Sequence, residues 1–191
     1  MRLAELYRAR RAPVRMVREV AVRCTDGDGE LNRVPVEDAA FPDAAGEQPV
    51  DATTKLFTIG YGGRTPTEFV QLLVEHGVRT IADVRLYPGR AYMAFFAKAK
   101  SPDKGIERIL GAAGIGYVSL TELGNPFKDE ADWPERYRKL LTETGEAMIG
   151  PLLVLPRPFC LLCAEKKPDE CHRRLIADFL GERGWDVQHI R

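Results

Sequence analysis

From about residue 55 to its end the chain repeats one pattern: a short apolar run, a polar turn, a helical stretch and a stop. Leu56-Phe57-Thr58-Ile59 has strand length and ends at Gly60-Tyr61-Gly62-Gly63. Thr65-Pro66-Thr67-Glu68 then marks a helix start, with a capping threonine, proline at the first helical position and an acid in the first turn. Phe69, Leu72, Leu73 and His76 continue that helix and Gly77 stops it. A second strand spans Val78–Val84 and runs into Arg85, then Tyr87-Pro88-Gly89-Arg90. A helix over Lys104–Ala113 closes at Gly114, before a strand over Gly116–Leu120. Gly124-Asn125-Pro126 turns the chain into a helix over Pro134–Ile149. The last unit is a strand over 159–164, a helix over 171–183, Gly184 and a strand over Asp186–Ile190. Strands alternating with helices of about 10–15 residues predict βαβ units. The fold class is therefore α/β, a Rossmann-like and mainly parallel sheet flanked by helices.

Residues 1–53 read differently. Seven arginines (Arg2, Arg8, Arg10, Arg11, Arg15, Arg18, Arg23) face Glu5 and Glu19 in the first 24 residues, and eight acids face Arg33 alone over 25–51. With its Asp, Gly, Pro and Ala content this stretch is expected to be an N-terminal extension or linker, followed by the α/β domain at 54–191. Over the whole chain Lys plus Arg equals Asp plus Glu at 28 each, so net charge points to no polyanion and no membrane surface. No apolar run reaches the ~20 residues of a membrane helix, and arginines interrupt any signal-peptide core, so a cytoplasmic location is expected. The four cysteines are then expected as thiols, ligands or nucleophiles rather than disulfides.

Open parallel sheets bind ligands beyond the carboxyl ends of their strands. Those ends carry Tyr61 among glycines, Asp83 and Arg85, Glu122, and then Glu165 with the Cys171-His172-Arg173 turn. His172 is the one histidine in this group. His76 is placed as a helix C-terminal cap, and His189 as a packed residue of the last strand. Leu152-Leu153-Val154-Leu155, bounded by prolines, is expected as core or buried connector.

The ordered set Thr58-Ile59-Gly60-Tyr61, Asp83-Val84-Arg85 with Pro88 and Arg90, Leu123-Gly124, and Cys163-Ala164-Glu165 followed by Cys171-His172-Arg173 resembles an uncharacterised family, domain of unknown function 488. The resemblance covers about residues 55–191 and implies a fold class and a residue set, with no reaction. The histidine and serine that the family usually carries after the first Ile-Gly are Tyr61 and Gly62 here.

Three chemistries compete for these residues. Cys160-x-x-Cys163 with Cys171-His172 has zinc-ligand types, but residues three apart on a strand point to opposite faces. A structural zinc is therefore not expected, and Cys160 and Cys163 read as core hydrophobes. Cys171 at a helix N-terminus, beside His172 and Arg173, is a candidate thiolate nucleophile. The final unit is similar to rhodanese and cysteine-phosphatase domains, although Glu165, Asp169 and Glu170 place acids near the thiols.

The preferred reading is an enzyme, a hydrolase or transferase, for a phosphate-bearing substrate such as a nucleotide or nucleic acid. Arg85, Arg90 and Arg173 would hold the anion, Tyr61 would stack, and Asp83 and Glu165 would do acid–base or nucleophilic work. Cys171 and His172 complete the catalytic candidates. A divalent metal is compatible with this set and no organic cofactor is expected. The alternatives are a thiol enzyme using Cys171 or Cys163, and a non-catalytic nucleic-acid-binding module using the basic arm.

Overall fold

The computed structural model describes residues 55–191. The predicted extension, its basic arm and its acidic segment lie outside the described residues. Strands β1 (Lys55–Gly60), β2 (Thr80–Asp83), β3 (Gly116–Ser119), β4 (Phe159–Cys163) and β5 (Asp186–His189) form one five-stranded sheet, in the order β3-β2-β4-β1-β5. Every pairing is parallel. Four helices connect them: α1 (Pro66–Glu75), α2 (Gly105–Gly111), α3 (Trp133–Leu153) and α4 (His172–Gly181). The fold is α/β.

The strand order dictates where the helices go. The β1→β2 and β2→β3 connections step towards the β3 edge, whereas β3→β4 and β4→β5 step back towards β5. Right-handed crossovers then require α1 and α2 on one face and α3 and α4 on the other. The core divides accordingly. Phe69, Leu73, Ile106 and Leu110 pack in one buried cluster, and Tyr137, Leu141, Leu175 and Ile176 in the other. Central strand β4 is buried along its whole length and feeds both clusters, with Cys160 and Leu162 on the α1–α2 side and Leu161 and Cys163 on the α3–α4 side. The opposite facing of Cys160 and Cys163 follows the period of two of a strand.

Helix α1 starts as its sequence dictates. Thr65 Oγ1 accepts from the Glu68 N–H at 3.2 Å, and Glu68 Oε2 accepts from the Thr65 N–H at 2.8 Å, a reciprocal capping box. His76 Nδ1 meets the Leu72 carbonyl at 2.8 Å, and Gly77 leaves the helix at φ +65°. Helix α3 is longer than predicted, running through Pro151 to Leu153. Proline there removes one backbone bond near the helix end, while Met148, Ile149 and Leu152 stay buried on its inner face. The predicted buried run 152–155 is therefore split: Leu152 is buried, whereas Leu153 and Val154 are 49% and 82% exposed. His189 lies on edge strand β5 with Nδ1 2.7 Å from Thr58 Oγ1. Among the described residues no helix is long and apolar enough to cross a membrane.

The topology also fixes the site. Strands β1 and β2 flank β4 and lead into helices on one face, while β4 leads into α4 on the other. Chains leaving in opposite directions open a crevice at the carboxyl end of β4.

Candidate active site

Asp83 ends β2 and is wholly buried. Its Oδ1 accepts from Arg85 Nε at 2.8 Å and from the Arg85 backbone N–H at 3.1 Å. Its Oδ2 accepts from Arg85 Nη2 at 2.5 Å and from the Tyr117 hydroxyl at 2.6 Å. A buried charge is tolerated in this fork-to-fork geometry because every oxygen has a donor. Burial pulls the Arg85 pKa down, but the Asp83 hydrogen bonds and charge outweigh it and the guanidinium is held more firmly protonated than usual. Burial and then the Asp83 charge push the Tyr117 phenol upward. Tyr61 lies 5.2 Å under the guanidinium by ring centroid and stacks on Phe96. One donor is left over: Arg85 Nη1 is buried and has no partner.

The β4–α4 loop is held by backbone contacts. Arg173, 1% exposed, donates from Nη1 to the Glu165 carbonyl at 2.6 Å and from Nη2 to that of Lys166 at 3.0 Å. The Tyr61 and Gly62 N–H groups donate to the Cys163 and Ala164 carbonyls at 3.3 and 2.8 Å. A side chain at Gly60 would put its Cβ 1.7 Å from the Glu165 oxygen, so this approach requires glycine. Gly124 has the same role beneath the β2 exit, where a Cβ would lie 2.6 Å from Leu86 Cα.

Three reactive side chains converge inside this frame. The His172 Nε2 is 2.9 Å from the Val84 carbonyl, which can only accept, so Nε2 carries the proton. In the neutral ring Nδ1 then presents a lone pair, 3.7 Å from Cys163 Sγ and 3.9 Å from Cys171 Sγ. Cys163 Sγ also lies 3.1 Å from Glu165 Oε2. Burial raises the Cys171 thiol, but the neighbouring Cys163 and His172 outweigh it and bring the pKa down to about 6. Cys163 moves the other way: its hydrogen bond to Cys171, burial and the Glu165 charge keep it protonated well above the ordinary thiol range. Glu165 is raised by burial but lowered further by the two thiols, and is held ionised. The Cys163, Cys171 and His172 ligand atoms lie within 4.8 Å of one another, a set able to hold a soft metal ion.

A cavity of about 280 Å³ opens over this group. Of the residues expected from sequence, it gathers Arg85, Arg90, Glu165, Cys171 and His172. Asp83 and Tyr61 support Arg85 from below, and Arg173 is spent on the loop carbonyls. Tyr87 lines the cavity with Arg90 over its ring, while Tyr92 is almost fully exposed elsewhere. Sequence reasoning missed Lys128 and Trp133, which follow no strand and carry no motif. It took Asn125 only as a turn former. Its Oδ1 accepts from the Phe127 N–H at 2.9 Å, which leaves the amide NH₂ as the free end of a cavity-lining side chain.

These features define an α/β protein with a polar, thiol-bearing cavity at the carboxyl end of its central strand. The chain belongs to the family described as domain of unknown function DUF488, whose model matches residues 65–180. No curated protein and no solved structure matches it.

Proposed function

We propose that the chain is an enzyme acting on a phosphate-bearing substrate of nucleotide size, bound in the cavity at the end of β4. The observation that carries this reading is the buried, unpartnered Nη1 of Arg85, a residue that lines the cavity. An orphaned charged donor is costly unless a ligand oxygen completes it. Arg90, Lys128 and the Asn125 amide supply further donors to the same anion, and Tyr87 and Trp133 supply aromatic faces for a base. Asp83 acts here by holding Arg85, because both its oxygens are already engaged. Glu165, Cys171 and His172 are the groups that reach the reacting atoms.

A second reading has one specific observation in its favour: Cys171 opens a ten-residue helix beside an imidazole lone pair, the setting of a thiolate nucleophile.

Thermal unfolding with inorganic phosphate and with nucleoside mono- and diphosphates tests the main reading. A ligand at about a hundred times its dissociation constant adds about 2.7 kcal/mol, a rise of several degrees. That rise is expected in the wild type and is expected to shrink in Asn125→Ala and in the Arg90→Ala/Lys128→Ala double variant. A flat response to every phosphate ligand, or one unchanged in both variants, overturns the reading.

A further inference from the structure

We propose that Cys163, Cys171 and His172 bind one zinc ion, with its fourth coordination position turned to the cavity. The inference deepens the enzymatic reading by supplying its reaction centre, and it rests on different residues from those that hold the anion. Bond lengths of about 2.3 Å to sulfur and 2.0–2.1 Å to nitrogen place the sulfur and nitrogen corners of a zinc tetrahedron about 3.6 Å apart. The two thiols stand 3.7 and 3.9 Å from His172 Nδ1, so each needs to close on the ring nitrogen by only a few tenths of an ångström, and all three ligand atoms lie within 4.8 Å of one another.

The orientation of the His172 ring also suits a metal. Its Nε2 proton is committed to the Val84 carbonyl at 2.9 Å, which aims the lone pair of Nδ1 at both thiols and fixes the ring's orientation. Charge points the same way. Both thiols would give up their protons on binding, and the resulting thiolates match the charge of a divalent ion. Sulfur and imidazole donors select zinc over magnesium or calcium.

All three residues line the cavity, so the remaining coordination position belongs to it. Glu165 stands just outside the ligand triangle, 3.1 Å from Cys163 Sγ, close enough to exchange a proton with a group at that position. Three protein ligands and one open position are the arrangement of catalytic rather than structural zinc. Cys160, the partner suggested by the Cys-x-x-Cys spacing, is on the other side of the sheet.

The full chain, reduced and stripped with a chelator, is titrated with Co²⁺ as a spectroscopic probe and then with Zn²⁺. One cobalt per chain is expected, with the visible bands of a tetrahedral site and a thiolate-to-metal charge-transfer band, all abolished by zinc. Cys24→Ser and Cys160→Ala are expected to keep these bands. Cys163→Ser, Cys171→Ser and His172→Ala are each expected to weaken uptake at least about a hundredfold, since even outer-shell partners are worth 10–100-fold. Circular dichroism establishes that each variant is folded. A folded, reduced wild type without tetrahedral cobalt bands overturns the proposal, as do bands that survive in both Cys171→Ser and His172→Ala. Phosphate shifts measured on metal-free and zinc-loaded samples separate the two ideas. Lost metal uptake with an intact phosphate shift removes the zinc site alone, and the converse removes the substrate reading alone.

Discussion

His172 Nε2 donates to the Val84 carbonyl across 2.9 Å, joining residues 88 positions apart in the chain. The bond ties the first turn of α4 to the exit of β2, and the ring also packs edge-on against Tyr137. Removal of the ring leaves a buried carbonyl without a donor and a void against Tyr137. His172→Ala is therefore expected to lower metal-free stability by about 2–3 kcal/mol, within the range for such losses. Urea unfolding of the apo chain measures it. A loss below about 0.5 kcal/mol, the level of ordinary surface substitutions, would mean that the bond does not hold the two elements together.

Two glycines separate steric need from backbone need. Gly60 carries no positive φ, yet its Cβ would meet the Glu165 carbonyl at 1.7 Å. Gly77 has φ +65° with open space around it. Gly77→Ala is expected to cost about 1–2 kcal/mol, the strain of a left-handed residue. Gly60→Ala is expected to cost more and also to displace the loop carbonyl that Arg173 holds. Denaturant midpoints rank the two. Equal losses would contradict the close approach of β1 to the β4–α4 loop.

Stability should fall on mild acidification because of His189. Burial first, and then the Arg173 and Arg174 charges, hold its pKa below the ordinary value of 6.5. The folded chain thus binds fewer protons than the unfolded one in that window, so stability is complete above 6.5 and is lost as pH falls through the lower folded value. Thr58 donating to a neutral Nδ1 at 2.7 Å agrees with that protonation state. His189→Gln is expected to flatten the slope of unfolding free energy against pH just below 6.5. An unchanged slope would assign it to other groups.

Local signals made much of this fold legible. Thr65, Pro66 and Glu68 announce a helix start, and that start forms as a capping box. Alternation along β4 places Cys160 and Cys163 on opposite faces. What the sequence withholds is which loops meet. The order β3-β2-β4-β1-β5 brings the β2 and β4 exits together, and only then do Val84 and His172 become partners. Strand alternation made both Cys160 and Cys163 read as core hydrophobes, which holds for Cys160, whereas the fold brings Cys163 beside Cys171 and His172 across the β4–α4 loop. Side-chain occupancy is equally hidden. Asp83 looks like a free catalytic group in the sequence and Arg173 like an anion holder, but the Asp83 oxygens meet Arg85 and Tyr117, and both Nη atoms of Arg173 meet loop carbonyls, with Arg173 Nε left buried and unpartnered. Lys128 and Trp133 reach the cavity from an irregular connection that no periodicity marks.

The Asp83–Arg85 pair gives the sharpest test of how the cavity is built. Asp83 is fully buried and Arg85 is 5% exposed, so loss of one charge strands the other. Breaking a buried pair from one side costs about 3–5 kcal/mol, mostly from the abandoned charge. Asp83→Asn is therefore expected to destabilise severely, whereas Tyr117→Phe, which removes one hydrogen bond to the same oxygen, should cost about 1–2 kcal/mol. The double change Asp83→Asn/Arg85→Met removes both charges and is expected to recover part of the loss. It should also erase any response to phosphate, because it deletes the unpartnered Nη1. Tyr117→Phe leaves the guanidinium fork intact and should keep that response. Guanidinium-chloride unfolding with and without phosphate reads both effects. If Asp83→Asn proves as mild as Tyr117→Phe, the pair is not the buried anchor that its geometry describes. If the double variant still responds to phosphate, the anion is held by Arg90, Lys128 and Asn125 without Arg85.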